Sequence, residues 1–292
     1  MAKKPNYFFS IVIPTLNEEK YLPRLLKDLS TQTLDNFEVI VVDGNSEDKT
    51  ELEAKKFSKQ LSLSLINVNK RNVSFQRNTG EKQATADWVI FMDADNRLPT
   101  YYLEGIRYQL NKHPETDFFT TWTSMETDSK IDKVMQNATN LTIELYNIMG
   151  IAQGTGALLG FKKELFNKHS FDETQHYLED GMLIKELCDA GYTFKIFREP
   201  KFVYSLRRIK KEGNFKSITT IISYQLKYLL GGDFSKPYSA KKYPMLGGQY
   251  YDQNLTESNS TRVLGNIQKF IKTASKKQLE QARHILNVLK EM

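Results

Sequence analysis

The sequence predicts an α/β fold: a mainly parallel sheet with helices on its faces, followed by a helical extension over residues 213–292. Apolar runs rich in β-branched and aromatic residues recur at 9–13, 37–42, 61–68 and 89–92, each short enough for a buried strand. Helical spacing separates them, and a strand–helix–strand repeat of this kind folds through right-handed crossovers into parallel pairs. A third observation bears on function. Three of the runs lead into loops that carry acids, at Glu18, at Asp43, and at Asp93 and Asp95, and the carboxyl ends of parallel strands are where such sheets bind ligands.

The first strand, Phe-Ser-Ile-Val-Ile, is expected to stop at Pro14, which cannot donate to a ladder. Pro14-Thr15-Leu16-Asn17-Glu18-Glu19 then opens a helix with Leu22, Leu25, Leu26 and Leu29 on one face. The second strand ends in Asp43-Gly44-Asn45-Ser46-Glu47-Asp48-Lys49-Thr50, where Asn45 or Ser46 is expected to cap a helix over 49–57. After the third run comes the basic loop Lys70-Arg71-Asn72, then Gln76-Arg77-Asn78-Thr79-Gly80, the expected start of a helix through Ala86. The fourth run ends in Met92-Asp93-Ala94-Asp95. Side chains alternate along an extended chain, so Asp93 and Asp95 are expected to point the same way, sharing one sheet edge with Asp43. Two hard oxygen ligands on one side suit Mg2+ or Mn2+ bound together with a diphosphate. The plain alternative is a solvated acidic turn.

Farther on, Gln153-Gly154-Thr155-Gly156-Ala157-Leu158-Leu159-Gly160-Phe161 joins small residues to a short strand, and small residues let a ligand approach the backbone. His176-Tyr177-Leu178-Glu179-Asp180-Gly181-Met182 precedes a helix bearing Leu183, Ile184 and Leu187 on one face. Asp180 reads either as a catalytic carboxylate or as the N-cap of a helix over 183–190. A short strand at 202–204 leads to Ser205-Leu206-Arg207-Arg208-Ile209-Lys210-Lys211. Its paired arginines either offer bidentate partners to phosphate oxygens or form a solvated basic face. Residues 120–149 carry Trp122, Met125 and Glu126 and then a helix from Ile131, without naming a site.

Four segments together resemble glycosyltransferase family 2: Ser10-Ile11-Val12-Ile13-Pro14-Thr15-Leu16-Asn17-Glu18, the Val41 to Thr50 turn, Arg77-Asn78-Thr79-Gly80, and Met92-Asp93-Ala94-Asp95, in the family's order and spacing. The resemblance implies a GT-A type, Rossmann-like catalytic domain over 1–212, with a nucleotide-sugar half of about 1–97 and an acceptor half of about 98–212. It implies that Pro14, Thr15, Asn17, Glu18, Asp43 and Asn45 hold the base and ribose of an activated sugar. Arg77, Gly154, Thr155, Arg207 and Arg208 would complete the donor site, with Asp95 as metal ligand and Asp93 on the ribose or the ligand shell. For Asp43, a simple Asx-turn is the alternative. Asp180 would be the general base that an inverting displacement by a poor alcohol nucleophile needs, with Glu179 orienting it or touching the acceptor.

The implied function is a metal-dependent inverting glycosyltransferase. It would move a single sugar from a UDP- or GDP-type donor to a saccharide hydroxyl or a polyprenyl or other lipid-linked phosphate, in cell-envelope polysaccharide or glycolipid synthesis. Processive members of the family follow an Arg with Trp in Gln-x-x-Arg-Trp, and the chain has no such motif, which favours single additions. A sugar-1-phosphate nucleotidyltransferase would need a Gly-rich, Arg-containing loop after the first strand, and 14–19 is no such loop. A non-catalytic nucleotide-sugar-binding relic would have lost its base or metal ligand, whereas Asp180 and Asp95 are both present.

Composition sets limits. With 292 residues and 40% hydrophobic content, one large catalytic domain with an extension is the simplest count. The single cysteine, Cys188, excludes internal disulfides and suits a reducing, cytoplasmic compartment. The four histidines fall at no metal spacing, which argues against zinc. No secretory leader is expected, since the apolar run behind the basic first residues ends at Pro14. Net charge is +6, but no nucleic-acid motif accompanies it and the predicted cleft is acidic, so nucleic acid is not the expected partner. Ile218, Ile221, Ile222, Leu226, Leu229 and Leu230 mark an amphipathic helix over 215–230, far short of the ~20 apolar residues of a membrane span. It either lies at the inner face of the membrane or packs on the catalytic domain or a second subunit. Residues 231–251 read as a long loop or lid with glycine hinges at 231–232 and 247–248, and 261–274 and 276–290 as helices suited to docking or homodimer formation.

Overall fold

The computed structural model describes residues 7–125, 156–175 and 178–205, with further positions between 136 and 147 and at 154, 207 and 248. Seven strands form one sheet in the order β3-β2-β1-β4-β6-β5-β7. They are β1 (Phe9–Thr15), β2 (Phe37–Asp43), β3 (Leu63–Asn67), β4 (Trp88–Met92), β5 (Phe118–Ser124), β6 (Leu158–Lys162) and β7 (Phe194–Val203). Fully described helices are α1 (Leu22–Leu29), α2 (Thr50–Lys55), α3 (Val73–Gln83), α4 (Tyr102–Lys112) and α5 (Glu179–Asp189), with a 3-10 turn at Lys163–Asn167; the described positions between 136 and 147 are helical as well. Pairing is parallel between β1 and β2, β1 and β4, β2 and β3, and β5 and β7. Among these strands β6 alone is antiparallel to its neighbours, β4 and β5.

Alternation along the strands supplies two cores, one on each face. Ile11, Ile13, Val39, Val41, Ile90 and Met92 pack with the leucines of α1 and with Tyr102, Leu103 and Ile106 of α4. Val12, Ile40, Val42, Val89 and Phe91 face the other way, against Leu183, Ile184 and Leu187 of α5. The sheet is therefore covered on both sides, as near-continuous apolar strands require. Glycine admits α3 closely: a Cβ at Gly80 would stand 3.1 Å from Val42 Cγ2.

Several local expectations change. Pro14 does not stop β1, which continues to Thr15. The Gly44 N–H donates to the Thr15 carbonyl at 2.9 Å, so odd-numbered backbone groups face β2. Pro14 faces the β4 side, where pairing has already ended at Val12 and Phe91, and its missing N–H breaks no ladder bond. Neither Asn45 nor Ser46 caps α2; Asp48 accepts from the Thr50 N–H at 2.9 Å instead. The helix α3 begins a turn early, at Val73, because Asn72 is its cap and accepts from the Phe75 N–H at 2.8 Å. Asp180 is not the N-cap of α5 either: that position is Leu178, in the left-handed region at φ 58°, and Asp180 lies inside the first turn. The strand at 202–204 is the end of the ten-residue β7.

By contact the chain divides into two units, Met1–Leu206 with Gly232–Asp252, and Arg207–Gly231 with Gln253–Met292. The expected helices over 215–230, 261–274 and 276–290 and the loop over 231–251 lie outside the described residues, Gly248 excepted. No helix among the described residues is long and apolar enough to cross a membrane.

Candidate functional site

The carboxyl ends of β1 and β2 are tied into one loop pair. Asp43 Oδ1 accepts from the Thr15 hydroxyl at 3.0 Å and the Ser46 hydroxyl at 2.6 Å, while Oδ2 accepts from the Ser46 N–H at 2.8 Å. The Ser46 oxygen in turn accepts from the Asn17 N–H at 2.8 Å, and Asn17 Oδ1 accepts from the Glu47 N–H at 2.8 Å. Glu18 N–H donates to the Thr50 hydroxyl at 2.7 Å. From below, Gln76 Nε2 donates to the carbonyls of Thr15 and Val42 at 2.8 and 2.7 Å. Asn17 and Asn45 adopt positive φ, 54° and 63°, a conformation asparagine tolerates better than most residues. Gly248 reaches the same loop, its N–H donating to the Leu16 carbonyl at 2.8 Å. Asp43 is thus the anchor of an Asx-type turn and only 2% exposed, a partner of the loop as well as a candidate partner for a ligand.

A second cluster forms where β4 ends. The strand stops at Met92, and Asp93 and Asp95 lie in a turn closed by the Asn96 N–H on the Asp93 carbonyl at 3.2 Å. Strand alternation therefore does not orient the two carboxylates. The Asp93 N–H and Asn96 Nδ2 both donate to the Ala157 carbonyl, at 3.0 and 2.6 Å, joining this turn to the one before β6. Across it stands α5 with Glu179 and Asp180. Gly156 lies so near Asp180 that an added Cβ would stand 2.8 Å from Asp180 Cγ. Arg77 reaches all three segments: Nη1 donates to Glu179 Oε1 at 2.9 Å and Nη2 to the Gly156 carbonyl at 3.1 Å, with Asp93 Oδ1 at 3.4 Å.

Charge is unbalanced here: Asp95, Glu179 and Asp180 all act on Asp93, and Glu179 on Asp180, with the Arg77 guanidinium opposing in both cases. Burial pushes Asp93 up to about 7, with Arg77 opposing and the other acids adding. Its side chain keeps 40% of its surface, so solvent screening works against that rise. Asp180 is pushed up to about 6, by burial first and by Glu179 next. A surplus of hard oxygen donors at a sheet edge fits a divalent cation. Among the described residues no three His, Cys, Asp or Glu side chains are grouped to hold one, so the protein would supply a carboxylate or two and a bound diphosphate and water the rest, which is how Mg2+ is ordinarily held.

The structure thus brings Thr15, Asn17, Glu18, Asp43 and Asn45 into one loop pair, beyond Pro14, and Arg77, Asp93, Glu179 and Asp180 into one cluster. Gly154 is close-packed, a Cβ there standing 2.8 Å from Ile184 Cδ1. Thr155 and Arg208 lie outside the described residues, and Arg207 belongs to the second unit. Sequence reasoning gave no site role to Gln76, Asn96 or Gly156, and read Ser46 only as a helix cap. Gln76 stands directly before Arg77, but its span to two strand ends is a tertiary fact without a local signal.

The profile of glycosyl transferase family 2 matches residues 10–199. The minor teichoic acid biosynthesis protein GgaB of Bacillus subtilis is 25% identical over 223 residues, covering 73% of this chain and 24% of GgaB. The chain therefore spans about a quarter of that relative's length. Among solved structures, residues 1–349 of S. aureus TarS in complex with UDP-GlcNAc superimpose with a TM-score of 0.54 at 21% identity, covering 67% of this chain and 58% of that one. The mannosyltransferase PcManGT from Pyrobaculum calidifontis, in complex with GDP-Man and Mn2+, gives a TM-score of 0.60 at 18% identity over 97% of this chain and 80% of its own. At these identities the structural likeness establishes the GT-A fold.

Proposed function

The chain belongs to glycosyl transferase family 2, and from that premise we propose that it moves one sugar from a nucleotide-sugar donor to an acceptor oxygen with inversion. The observation that carries the reading is Asp180, lodged against the Gly156 turn beside Glu179 and on the same guanidinium as Asp93. Donor-side and base-side carboxylates share one cluster, the arrangement a displacement at a sugar carbon needs.

In this reading the loop of Pro14, Thr15, Asn17 and Glu18, with Asp43 and Asn45, receives the nucleoside. The network around Ser46 holds that loop in shape before a ligand arrives, so little ordering cost remains for binding. Neighbours solved in complex with UDP-GlcNAc and with GDP-Man support a UDP- or GDP-type donor. Asp95 with Asp93 would hold Mg2+ or Mn2+, which when bound neutralises charge on the departing diphosphate; a neighbour carrying Mn2+ supports this. Asp180 accepts the proton of the attacking hydroxyl. Raised to about 6, it is still ionised at neutral pH and a stronger base than an ordinary carboxylate. Arg207 and Arg208 are assigned to phosphate oxygens, and Gly154 and Thr155 to the sugar's approach.

The acceptor is proposed to be a saccharide hydroxyl or a lipid-linked phosphate of the cell envelope, at the inner membrane face, with the extension over 213–292 as the membrane or homodimer contact. The teichoic-acid role in GgaB's name supports an envelope polymer. Titration of UDP and GDP into the protein, with Mn2+ and with chelator, beside Asp95→Ala tests the donor site. Metal-dependent binding of one nucleotide, lost in the variant, is expected; absence of binding under every condition returns the relic reading.

A further inference from the structure

We infer that Arg77 is a positioning residue that locks the base side of the site to the donor side, and that it does not contact the donor's phosphates; the inference rests on the transferase reading above. The guanidinium is committed to protein acceptors. It joins the start of α5 through Glu179 at 2.9 Å, the turn before β6 through the Gly156 carbonyl at 3.1 Å, and the end of β4 through Asp93 at 3.4 Å. The residue is 3% exposed and its Nε is buried, without a partner among the described residues. A side chain so enclosed has no open face for a diphosphate.

The floor under this fork is also fixed. The guanidinium carbon lies 5.2 Å from the Phe171 ring centroid. Phe171 N–H donates to Asn78 Oδ1 at 3.0 Å, and Asn78 Nδ2 donates to the Phe171 carbonyl at 2.8 Å. Consecutive residues of α3 thus act as a unit: Asn78 pins the aromatic platform and Arg77 rests on it. A lysine keeps the charge but cannot spread planar bonds to three segments from one plane.

The consequence falls on Asp180, which Arg77 does not hydrogen-bond. The base packs against Gly156, whose carbonyl Arg77 holds, and follows Glu179, whose carboxylate Arg77 holds. Its position is set from two sides by one guanidinium. Removing the clamp should misplace the base by about an ångström, a shift that costs on the order of 100-fold in turnover, while the nucleoside loop of Asp43 and Ser46 stays intact.

The test compares Arg77→Lys, Arg77→Met and Glu179→Gln with the wild type by three readouts: titration of UDP and GDP with Mn2+, hydrolysis of the nucleotide sugar that binds, and amide hydrogen exchange. Expected for Arg77→Met are nucleotide dissociation constants within about threefold of wild type, turnover lower by about 100-fold, and faster exchange at the amides of Asp93 and Met182 with α1 unchanged. Glu179→Gln should shift exchange the same way, and Arg77→Lys should fall between; these two decide the matter if Arg77→Met fails to fold. Loss of nucleotide affinity with turnover at saturation retained would make Arg77 a donor contact and overturn the inference, as would unchanged exchange. If the wild type neither binds nor hydrolyses any nucleotide sugar, the transferase reading fails by itself, and the exchange data still show whether the clamp exists.

Discussion

Replacing Gly156 by alanine isolates the base without touching its chemistry. The added Cβ would stand 2.8 Å from Asp180 Cγ and 3.4 Å from its Cβ, and closer still to Oδ2. Ordinary carbon–carbon contact lies near 3.5–4.0 Å, so the carboxylate must retreat by about 1 Å. It is the end of a rotatable side chain, which yields more readily than the backbone on either side. A displacement of that size between base and acceptor oxygen costs on the order of 100-fold in kcat, about 2.7 kcal/mol of barrier. The assay is steady-state transfer or donor hydrolysis at saturating nucleotide sugar, with urea denaturation and nucleotide titration as controls. The expected result is low kcat with unchanged donor affinity and a small loss of stability. A folded Gly156→Ala protein with wild-type kcat would refute the assignment of Asp180 as the base.

Three further outcomes follow from the same geometry. With Asp180 raised to about 6, kcat/KM should fall about tenfold per pH unit below that value as the base is protonated, and Asp180→Asn should abolish this limb along with most of the rate; a flat profile from pH 5 to 8 would contradict it. Asp93, raised to about 7, favours the metal-free fold when protonated, so that part of the stability is present below pH 4 and is lost as pH rises through about 7. Discounted for the 40% exposure of its side chain, the effect at pH 8 is about 1–2 kcal/mol, so Asp93→Asn should stabilise the metal-free protein in urea at pH 8 and much less at pH 4. Alanine at Gly248 would bring a Cβ to 2.5 Å from the Asn17 carbonyl oxygen, and nucleotide titration should show roughly tenfold weaker binding, about 1.4 kcal/mol, with the melting temperature little changed.

Much of the sheet was legible because β1, β2 and β4 are buried on both faces and so read as apolar runs. The strand β5 was not, since its residues Thr120, Thr121 and Thr123 resemble a surface segment. Each hydroxyl is satisfied within the core: Thr120 donates to the Leu158 carbonyl, Thr121 bonds Tyr102, and Thr123 bonds Asn140. The site was legible as residue types rather than as geometry. Asp43, Asp93, Asp95 and Asp180 were singled out, but two of the three partners of Arg77 lie 79 and 102 residues away along the chain, and no local pattern encodes such a span. Strand alternation, the ground for expecting Asp93 and Asp95 to point the same way, does not apply to them, because the strand ends at Met92.

The antiparallel strand β6 also has a bearing on how the protein is made. Residues up to Met92 complete β3-β2-β1-β4, with the β3-to-β4 connection passing β2 and β1, but β4 gains its second neighbour only when β6 is finished at Lys162, 162 − 92 = 70 residues later. At about 5–20 residues per second of synthesis, the nascent chain carries Trp88–Met92 as a bare apolar edge for about 4–14 s. Unpaired edges of this kind recruit other strands, so a ribosome stalled between these points, or a gene cut after the first half, yields a chain prone to stick to its neighbours, and chaperone occupancy during translation should peak over this interval.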